Sequence, residues 1–454
     1  MIAAQLLMIV FLICLAVVLG YAVLQFGGVV LLYWNYCLLG LGLVALLYWL
    51  ITPRRELAPG LDPWIRWPMV LLLCYAALQL VPMPLSLLQF ISPQRAEDIR
   101  ALAVNGTVPA WAALSAVPAA TFGHLMRIAS YAAAFLLVRE LGWRRALRPW
   151  TLAVPIIVIA ALESAYGLLL FFQGAGPQGD AHGTYVNRNH FAGLLEMALP
   201  FAIMYAVAIA RDSRAQARRP ALAALRACLL FAAAALILVG IIYSYSRMGF
   251  AACLLSLLLM GLLAMDGRIG PKVKWALGAA VAALVLGAFI FLPPDPLVER
   301  FAHLTQEGYL TDEGRVFIWE EALPLVKSYP VLGSGLGAFE SVFLRYQKSV
   351  PVAGVDFAHN DYLQYLVELG AVGFALGAAL VVGVLRHAAR GVREASGARE
   401  HALAIACTCS LAAILLHSIV DFNLYIPANA LTVAWVCGIA VSLNLDEERH
   451  KSGA

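Results

Sequence analysis

Long apolar runs separated by short polar segments dominate the chain. About twenty apolar residues cross the hydrocarbon of a bilayer as an α-helix, and runs of that length recur throughout the sequence. We therefore predict an all-α polytopic membrane protein with about 12 transmembrane helices. The predicted spans are 2–24, 29–50, 67–81, 122–138, 150–172, 191–210, two within 227–265, then 273–291, 362–385, 402–420 and 426–443.

The run 227–265 is too long for a single crossing. Only Ser244-Tyr245-Ser246-Arg247 interrupts it. We therefore predict a helical hairpin with Arg247 at its tip, which supplies the seventh and eighth spans. The first run, 2–24, lacks a preceding basic residue and a small-residue cleavage site, so it is expected to be a span and not a removed signal peptide.

The polar segment between the ninth and tenth spans has helical periodicity of its own. Apolar residues recur every three or four positions at Val316, Trp319, Leu323 and Val326, and again at Phe339, Val342, Phe343 and Tyr346. This pattern predicts two amphipathic helices that form a small helical cap on the outer side of the membrane. The predicted organisation is 1–292 with nine spans and outer loops 82–121 and 173–190, then the cap over 293–358, and three spans with a short cytoplasmic tail over 359–454.

The composition is that of a membrane protein, and the positions of the basic residues predict its orientation in the membrane. The chain is 62% hydrophobic and 13% charged, with a mean hydropathy of +0.83, which excludes an ordinary soluble domain. If the N-terminus is cytoplasmic, about two thirds of the 31 Lys and Arg residues fall on inward loops, as the positive-inside rule requires. Both termini are therefore expected in the cytoplasm. Because the basic residues are sorted by loop, the net charge of +4 does not indicate nucleic-acid binding.

Three arginines reach the outward face from three different loops: Arg188, Arg247 and Arg315. Each lies among Gly, Ser or Asn residues that allow close approach to a ligand, and the planar guanidinium suits bidentate contact with phosphate oxygens. Simpler roles remain open at this stage. Arg188 can cap a helix, Arg247 can extend to the membrane interface, and Arg315 can pair with a neighbouring acid.

His359 opens the tenth span and is the candidate general base. An imidazole is the side chain best suited to take a proton from a hydroxyl near neutral pH, although packing or capping is the more common role of such a histidine. Asn360 and Gln364 lie one turn apart and are candidates to orient His359 or a sugar, while Asp361 is a candidate N-cap. In the loop 173–190, the neighbours of Arg188 are further substrate-binding candidates, namely Asn187 and His190.

No metal or cofactor site is predicted. The sequence lacks His-Glu-x-x-His, Asp-x-Asp, a phosphate-binding Gly-rich loop with Lys, and any Cys/His cluster. All eight cysteines fall in apolar runs and are expected to pack there. The Gly333-Ser334-Gly335-Leu336-Gly337 segment is either a flexible turn between helices or an anion-binding nest.

Taken together, these motifs resemble the O-antigen ligase superfamily, which includes polysaccharide polymerases and bacterial protein O-oligosaccharyltransferases. The motifs that carry the resemblance are Ser246-Arg247, Gly314-Arg315 before an amphipathic helix, the Gly-x-Gly turn, and His359-Asn360 followed by Glu368-x-Gly370. The resemblance implies metal-independent transfer of a glycan from undecaprenyl diphosphate to a hydroxyl acceptor at the periplasmic face. It also implies that Arg247 and Arg315 hold the diphosphate and that His359 activates the acceptor.

Several functions remain open on the sequence alone. The motifs do not separate an O-antigen ligase, which acts on lipid A core or another surface glycan, from a polysaccharide polymerase. A secondary transporter or flippase for lipid-linked sugars would also place arginines in a polytopic protein, but matched inverted repeats are not apparent. A structural membrane protein is the remaining alternative.

Overall fold

The computed structural model describes residues 2–53, 57–103, 107–144, 148–174, 179–216, 220–265, 278–279, 312–348, 355–395 and 397–443. Its α-helices are α1 (Ile2–Leu24), α2 (Leu31–Ile51), α3 (Pro63–Leu78), α4 (Leu85–Ile91), α5 (Pro93–Ala101), α6 (Pro118–Trp143), α7 (Val154–Phe172), α8 (Arg188–Gln216), α9 (Pro220–Tyr243), α10 (Arg247–Ala264), α11 (Asp312–Ser328), α12 (Phe339–Phe343), α13 (Asp361–Glu394), α14 (Ala398–His417) and α15 (Pro427–Ser442). Two short strands, β1 (Pro82–Pro84) and β2 (Trp111–Ala113), pair antiparallel.

The prediction of an all-α polytopic membrane protein is confirmed. Among the described residues, nine helices are long and apolar enough to cross a membrane, and two shorter apolar helices, α3 and α15, accompany them. The predicted ninth span, 273–291, lies almost entirely outside the described residues, so the number of twelve spans stays a prediction. The most deeply buried of the long helices is α8, which packs against α9 and α14.

The predicted hairpin is formed by α9 and α10. The chain turns at Tyr245, whose φ of 51° lies in the left-handed region. Ser246 then caps α10, because its hydroxyl accepts a hydrogen bond from the backbone N–H of Gly249 at 3.2 Å. A Cβ on Gly249 would lie 2.6 Å from Cβ of Ala192, so the absence of a side chain lets α10 approach α8 closely.

The segment after the ninth predicted span contains two helices, the long α11 and the short α12. The short helix α12 covers only part of the second amphipathic helix that the sequence predicted. The buried face of α11 carries Ile318, Ala322 and Leu325, which pack with Phe339 and Phe343 of α12. The sequence periodicity predicted a different buried face for this helix. Two residues of the predicted face, Val316 and Leu323, are about half exposed. Since α11 has apolar residues on more than one side, periodicity alone could not select the side that packs.

A break in α13 accommodates the glycine-rich turn that follows α11. Gly370 has φ 62° and ψ −172°, a conformation that only glycine adopts readily. The N–H groups of Ala371 and Val372 donate to the carbonyls of Pro330 and Val331, and Ser334 N–H donates to Val367 O. The turn is therefore hydrogen-bonded into the long helix at its break, next to the start of α13.

The β1–β2 hairpin and its two helices lie against the same turn. Gln79, at the end of α3, donates from its amide to the carbonyls of Leu332 and Glu368 at 3.1 Å each. On α5, Asp98 accepts a hydrogen bond from the Tyr329 hydroxyl and pairs with Arg345 at 2.7 Å. These contacts fix the hairpin, the turn and α13 relative to one another. We call this end of the helix bundle the cap end.

Candidate functional site

The carboxylate of Asp421 is the centre of the candidate site. It lies in the short connection between α14 and α15 and is fully buried. Its Oδ1 is 3.5 Å from Nε2 of His190 and 3.8 Å from Nδ1 of His359, and its Oδ2 is 3.9 Å from Nη2 of Arg315. Three of the residues singled out in the sequence, from three distant segments, thus surround one acid that the sequence analysis did not select.

The start of α13 holds the Asp421 loop in place. The backbone N–H of Asp361 donates to the carbonyls of Ser418 and Asp421 at 3.0 and 3.1 Å. The Asp361 side chain accepts from the Ser418 hydroxyl at 2.7 Å and from Leu424 N–H at 3.1 Å. The expectation that Asp361 is the N-cap was wrong: Asn360 occupies that position, and the Asp361 carboxylate is used across the bundle to order the loop.

His359 is held beside the Asp421 loop by its backbone neighbours. Its φ of 49° is in the left-handed region, where histidine is tolerated better than most residues but is still unusual. Trp319, one turn after Arg315 on α11, donates from its indole to Ala358 O at 2.9 Å. Phe422 adds edge contacts to both histidine rings, at 4.8 Å from His359 and 4.6 Å from His190. The Trp319 hydrogen bond therefore joins the helix that carries Arg315 to the backbone next to His359.

The electrostatics of Asp421 follow from its surroundings. Burial by itself would raise the pKa of this carboxyl, because a buried charge loses hydration. The neighbouring His190 and His359 rings, with a further contribution from His417, outweigh burial and hold the pKa well below its usual range. Distances of 3.5–3.9 Å exceed ordinary hydrogen-bond lengths, so these contacts are longer than direct hydrogen bonds.

The polar candidates next to His359 and Arg188 have structural partners. The side-chain oxygen of Asn360 caps α13 by accepting from Leu363 N–H at 2.9 Å. Gln364 accepts from Ala358 N–H at 2.9 Å and donates to Glu368 at 3.3 Å, so it fixes the backbone just before His359. Asn187 accepts from Asn189 N–H at 2.8 Å at the start of α8. Their side chains therefore position the site's backbone.

Two arginines from the sequence set lie outside the ion-pair group around Asp421. Arg188 pairs with the buried Asp180 at 3.0 Å, and Asp180 also contacts His182 at 3.1 Å. Arg247 begins α10, and its side chain is partly buried. Because Gly249 lies against Ala192, two residues beyond His190, Arg247 is at the same end of α8 as the site.

The glycine-rich turn is not an anion nest in this conformation. Its N–H groups already donate to protein acceptors: Gly335 to Glu368 O, Leu336 to Gln79 Oε1 and Gly337 to a carboxylate oxygen of Glu368 at 2.6 Å. Side chains at Gly333 or Gly337 would meet backbone or ring atoms closer than 2.5 Å. The turn is therefore a packed structural element, with glycine required for its close approach to α13.

Two further buried acids support the site: Glu196, which was not selected from the sequence, and Glu368, which was named there only as part of a motif. Glu196, on α8, lies 3.1 Å from Nδ1 of His417 at the end of α14, and both side chains are fully buried. Glu368 collects hydrogen bonds from the turn, from Gln364 and from Tyr425. The signal for all three acids was available, because an acidic residue inside or beside an apolar span costs free energy unless it is paired. Within the described part of the chain, no group of three His, Cys, Asp or Glu residues has the geometry of a metal site.

Fold and site together define a multi-pass membrane protein with an arginine, two histidines and a buried aspartate gathered at one end of its helix bundle. Residues 232–378 match the family model described as O-antigen ligase, which confirms the resemblance to the O-antigen ligase and polymerase superfamily over that stretch. The match includes Arg247, Arg315 and His359, whereas His190 and Asp421 lie outside it. No curated protein was found that matches the chain.

Proposed function

We propose that the chain is a metal-independent, inverting glycosyltransferase that moves a glycan from undecaprenyl diphosphate to a hydroxyl acceptor at the periplasmic face of the inner membrane. The observation that carries this proposal is the placement of Arg315 and His359 on the same buried carboxylate, Asp421. A cation for a leaving diphosphate and a base for an attacking alcohol are the two groups that such a displacement needs. The match to the O-antigen ligase family supports the class of reaction.

In the proposed step, Nε2 of His359 takes the proton from the acceptor hydroxyl, since Nδ1 is the nitrogen that faces Asp421. The acceptor oxygen attacks the anomeric carbon, the bond from that carbon to the diphosphate oxygen breaks, and the electron pair leaves with undecaprenyl diphosphate. A single displacement inverts the anomeric centre. Asp421 orients the imidazole and stabilises its protonated form, as the acid does in a Ser-His-Asp triad.

Arg315 stabilises the negative charge that grows on the leaving diphosphate, and Arg247 is the second arginine assigned to it. Guanidinium groups fixed before the reaction act strongly in a site that is partly shielded from water. Arg188 and His190 lie at the N-terminal end of α8, where the helix dipole favours an anionic group, so we assign them to substrate binding. Asn187 contributes to that binding by ordering the backbone at the start of α8. Asn360 and Gln364 contribute by positioning the backbone around His359.

The proposal is tested with purified protein, a lipid-diphosphate glycan and candidate acceptors, with and without EDTA. A new glycosidic product that forms equally in both conditions is expected. One-step capping of lipid A core would identify a ligase, and growing chains would identify a polymerase. Movement of the lipid-linked glycan across a membrane without a new glycosidic bond would replace the proposal with transport.

The variant Arg315→Lys tests most directly whether Arg315 stabilises the leaving diphosphate. A lysine keeps the charge but cannot hold two phosphate oxygens in a planar fork, so we expect kcat to fall by about 10²–10³. Arg345→Lys is the matched control, because Arg345 lies on the surface of the cap end, with a 55% exposed side chain. Wild-type turnover in Arg315→Lys would remove Arg315 from the site.

A further inference from the structure

A cavity of about 260 Å³ lies between α3, α6, α13, α14 and α15. It is elongated along the helices: on α6 alone its lining runs from His124 to Phe135, which corresponds to a rise of about 16 Å. The end near His124 is at the cap end, since a Cβ on Gly337 would touch the His124 ring and Tyr425 lies 5.5 Å from it. The opposite end is lined by aliphatic and aromatic carbon.

Among the described residues, Arg127 is the only arginine or lysine that lines this cavity, and no Asp or Glu lines it. Its Nε is buried and has no hydrogen-bond partner in the part of the chain that the structure describes. Arg127 lies inside α6, one of the helices long enough to span a membrane. Since a guanidinium in such a span costs free energy unless an anion or a polar group compensates it, an anionic occupant of the cavity would stabilise Arg127.

The rest of the lining specifies the other half of that occupant. Aliphatic side chains from four different helices line the cavity, for example Leu72, Leu385, Ile414 and Val433. Free phosphate would gain nothing from these walls and would lose its hydration, whereas a hydrocarbon chain would bury apolar surface there. An anion at one end and hydrocarbon along the remainder describe a lipid with a phosphate headgroup.

This cavity is separate from the candidate site at Asp421. None of Arg315, His359 and Asp421 lines it. Aromatic rings connect the two: Tyr425 and Tyr365 line the cavity with centroids 5.0 Å apart. Phe357 does not line it and contacts both Tyr425, at 5.7 Å, and Phe422, whose ring contacts His359. A phosphate at Arg127 would therefore be a second phosphate, distinct from one held by Arg315.

We propose that this cavity is a binding site for an anionic phospholipid of the surrounding membrane, with its phosphate on Arg127 and His124 and a hydrocarbon chain along the cavity toward Phe135. The cavity adjoins the connection that carries Asp421, because Leu424 of that connection lines it and α15 begins directly afterwards. The bound lipid compensates the buried charge of Arg127. The assignment does not depend on which reaction the Asp421 site performs.

The test uses the full chain, delipidated in detergent, and native mass spectrometry with titrated phosphatidylglycerol. Separate arms use diacylglycerol of the same chains, inorganic phosphate, and undecaprenyl diphosphate as competitor. We expect saturable binding of phosphatidylglycerol, and binding at least about tenfold weaker for diacylglycerol and for the Arg127→Gln variant. Three results would each overturn the proposal. They are equal affinity of Arg127→Gln and wild type for phosphatidylglycerol, loss of phosphatidylglycerol binding on addition of inorganic phosphate alone, and full displacement of phosphatidylglycerol by undecaprenyl diphosphate.

Matched variants distinguish a specific loss of lipid binding from misfolding of Arg127→Gln. Arg226→Gln removes an exposed arginine from α9 and is expected to bind phosphatidylglycerol as the wild type does. Ala132→Leu keeps the charge but occupies part of the cavity, so it is expected to weaken binding, whereas Ala224→Leu on the exposed side of α9 is not. Unchanged binding in Ala132→Leu would show that the lipid lies elsewhere.

Discussion

The Oδ1 atom of Asp421 lies 3.8 Å from Nδ1 of His359, although 62 residues of chain separate the two. This relationship gives the candidate base a fixed partner on one ring nitrogen and leaves the other nitrogen for a substrate. It also explains why a buried acid is tolerated at the edge of a membrane span, since His190 and Arg315 share the same carboxylate.

Asp421→Asn should therefore impair transfer much more than donor binding. The amide keeps the shape of the side chain but loses the charge that orients and stabilises a protonated imidazole, so we expect kcat to fall by about 10²–10⁴. The measurement is transfer of a lipid-diphosphate glycan, with donor affinity determined in parallel. A kcat within a factor of about two of the wild type would remove Asp421 from the mechanism.

The low pKa of Asp421 has a consequence for stability. Because the folded-state pKa lies below the unfolded value of about 3.9, this carboxyl contributes stability above that pH and loses it as the pH falls through the folded-state pKa. The difference in unfolding free energy between wild type and Asp421→Asn should thus shrink as the pH falls below about 4. Thermal unfolding in detergent measures it at about pH 5 and about pH 3. An equal difference at the two pH values would contradict the assignment.

Gly370→Ala tests the packed turn at the break of α13. A Cβ there would lie 2.4 Å from the carbonyl carbon and oxygen of Val331, and its φ of 62° strains any other residue, so we expect a loss of at least about 3 kcal/mol. Gly377→Ala, in the same helix, has open space and should be neutral or stabilising by about 0.5–1 kcal/mol. Equal stability of the two variants would show that the turn does not pack as described.

Hydrophobic patterning predicted most of the fold because a bilayer imposes one simple length requirement on each helix. The hairpin at Arg247 followed from a run too long for one crossing, and α9 and α10 confirm it. The side on which α11 packs did not follow, since Val316 and Leu323 are as apolar as Ile318 and Leu325. Which face is buried depends on tertiary contacts with α12 and α13 that the local sequence does not contain.

The candidate site was predictable in part. Arg315 was found because three arginines from three loops reach the outward face among small residues, and His359 because an imidazole can take a proton near neutral pH. Asp421, in Ser418-Ile419-Val420-Asp421-Phe422, was not selected, although an acid beside an apolar span costs free energy unless it is paired. Its role became visible only when folding placed it between α8, α11 and α13.

The central claim is that His359 deprotonates the acceptor while the arginines hold the donor. Single-turnover transfer by His359→Ala, with donor affinity measured on the same preparation, tests it most directly. The account predicts that donor affinity stays within about threefold of wild type while the transfer rate falls by about 10²–10⁴. Product formation by the alanine variant at the wild-type rate would contradict the assignment of His359 as the base.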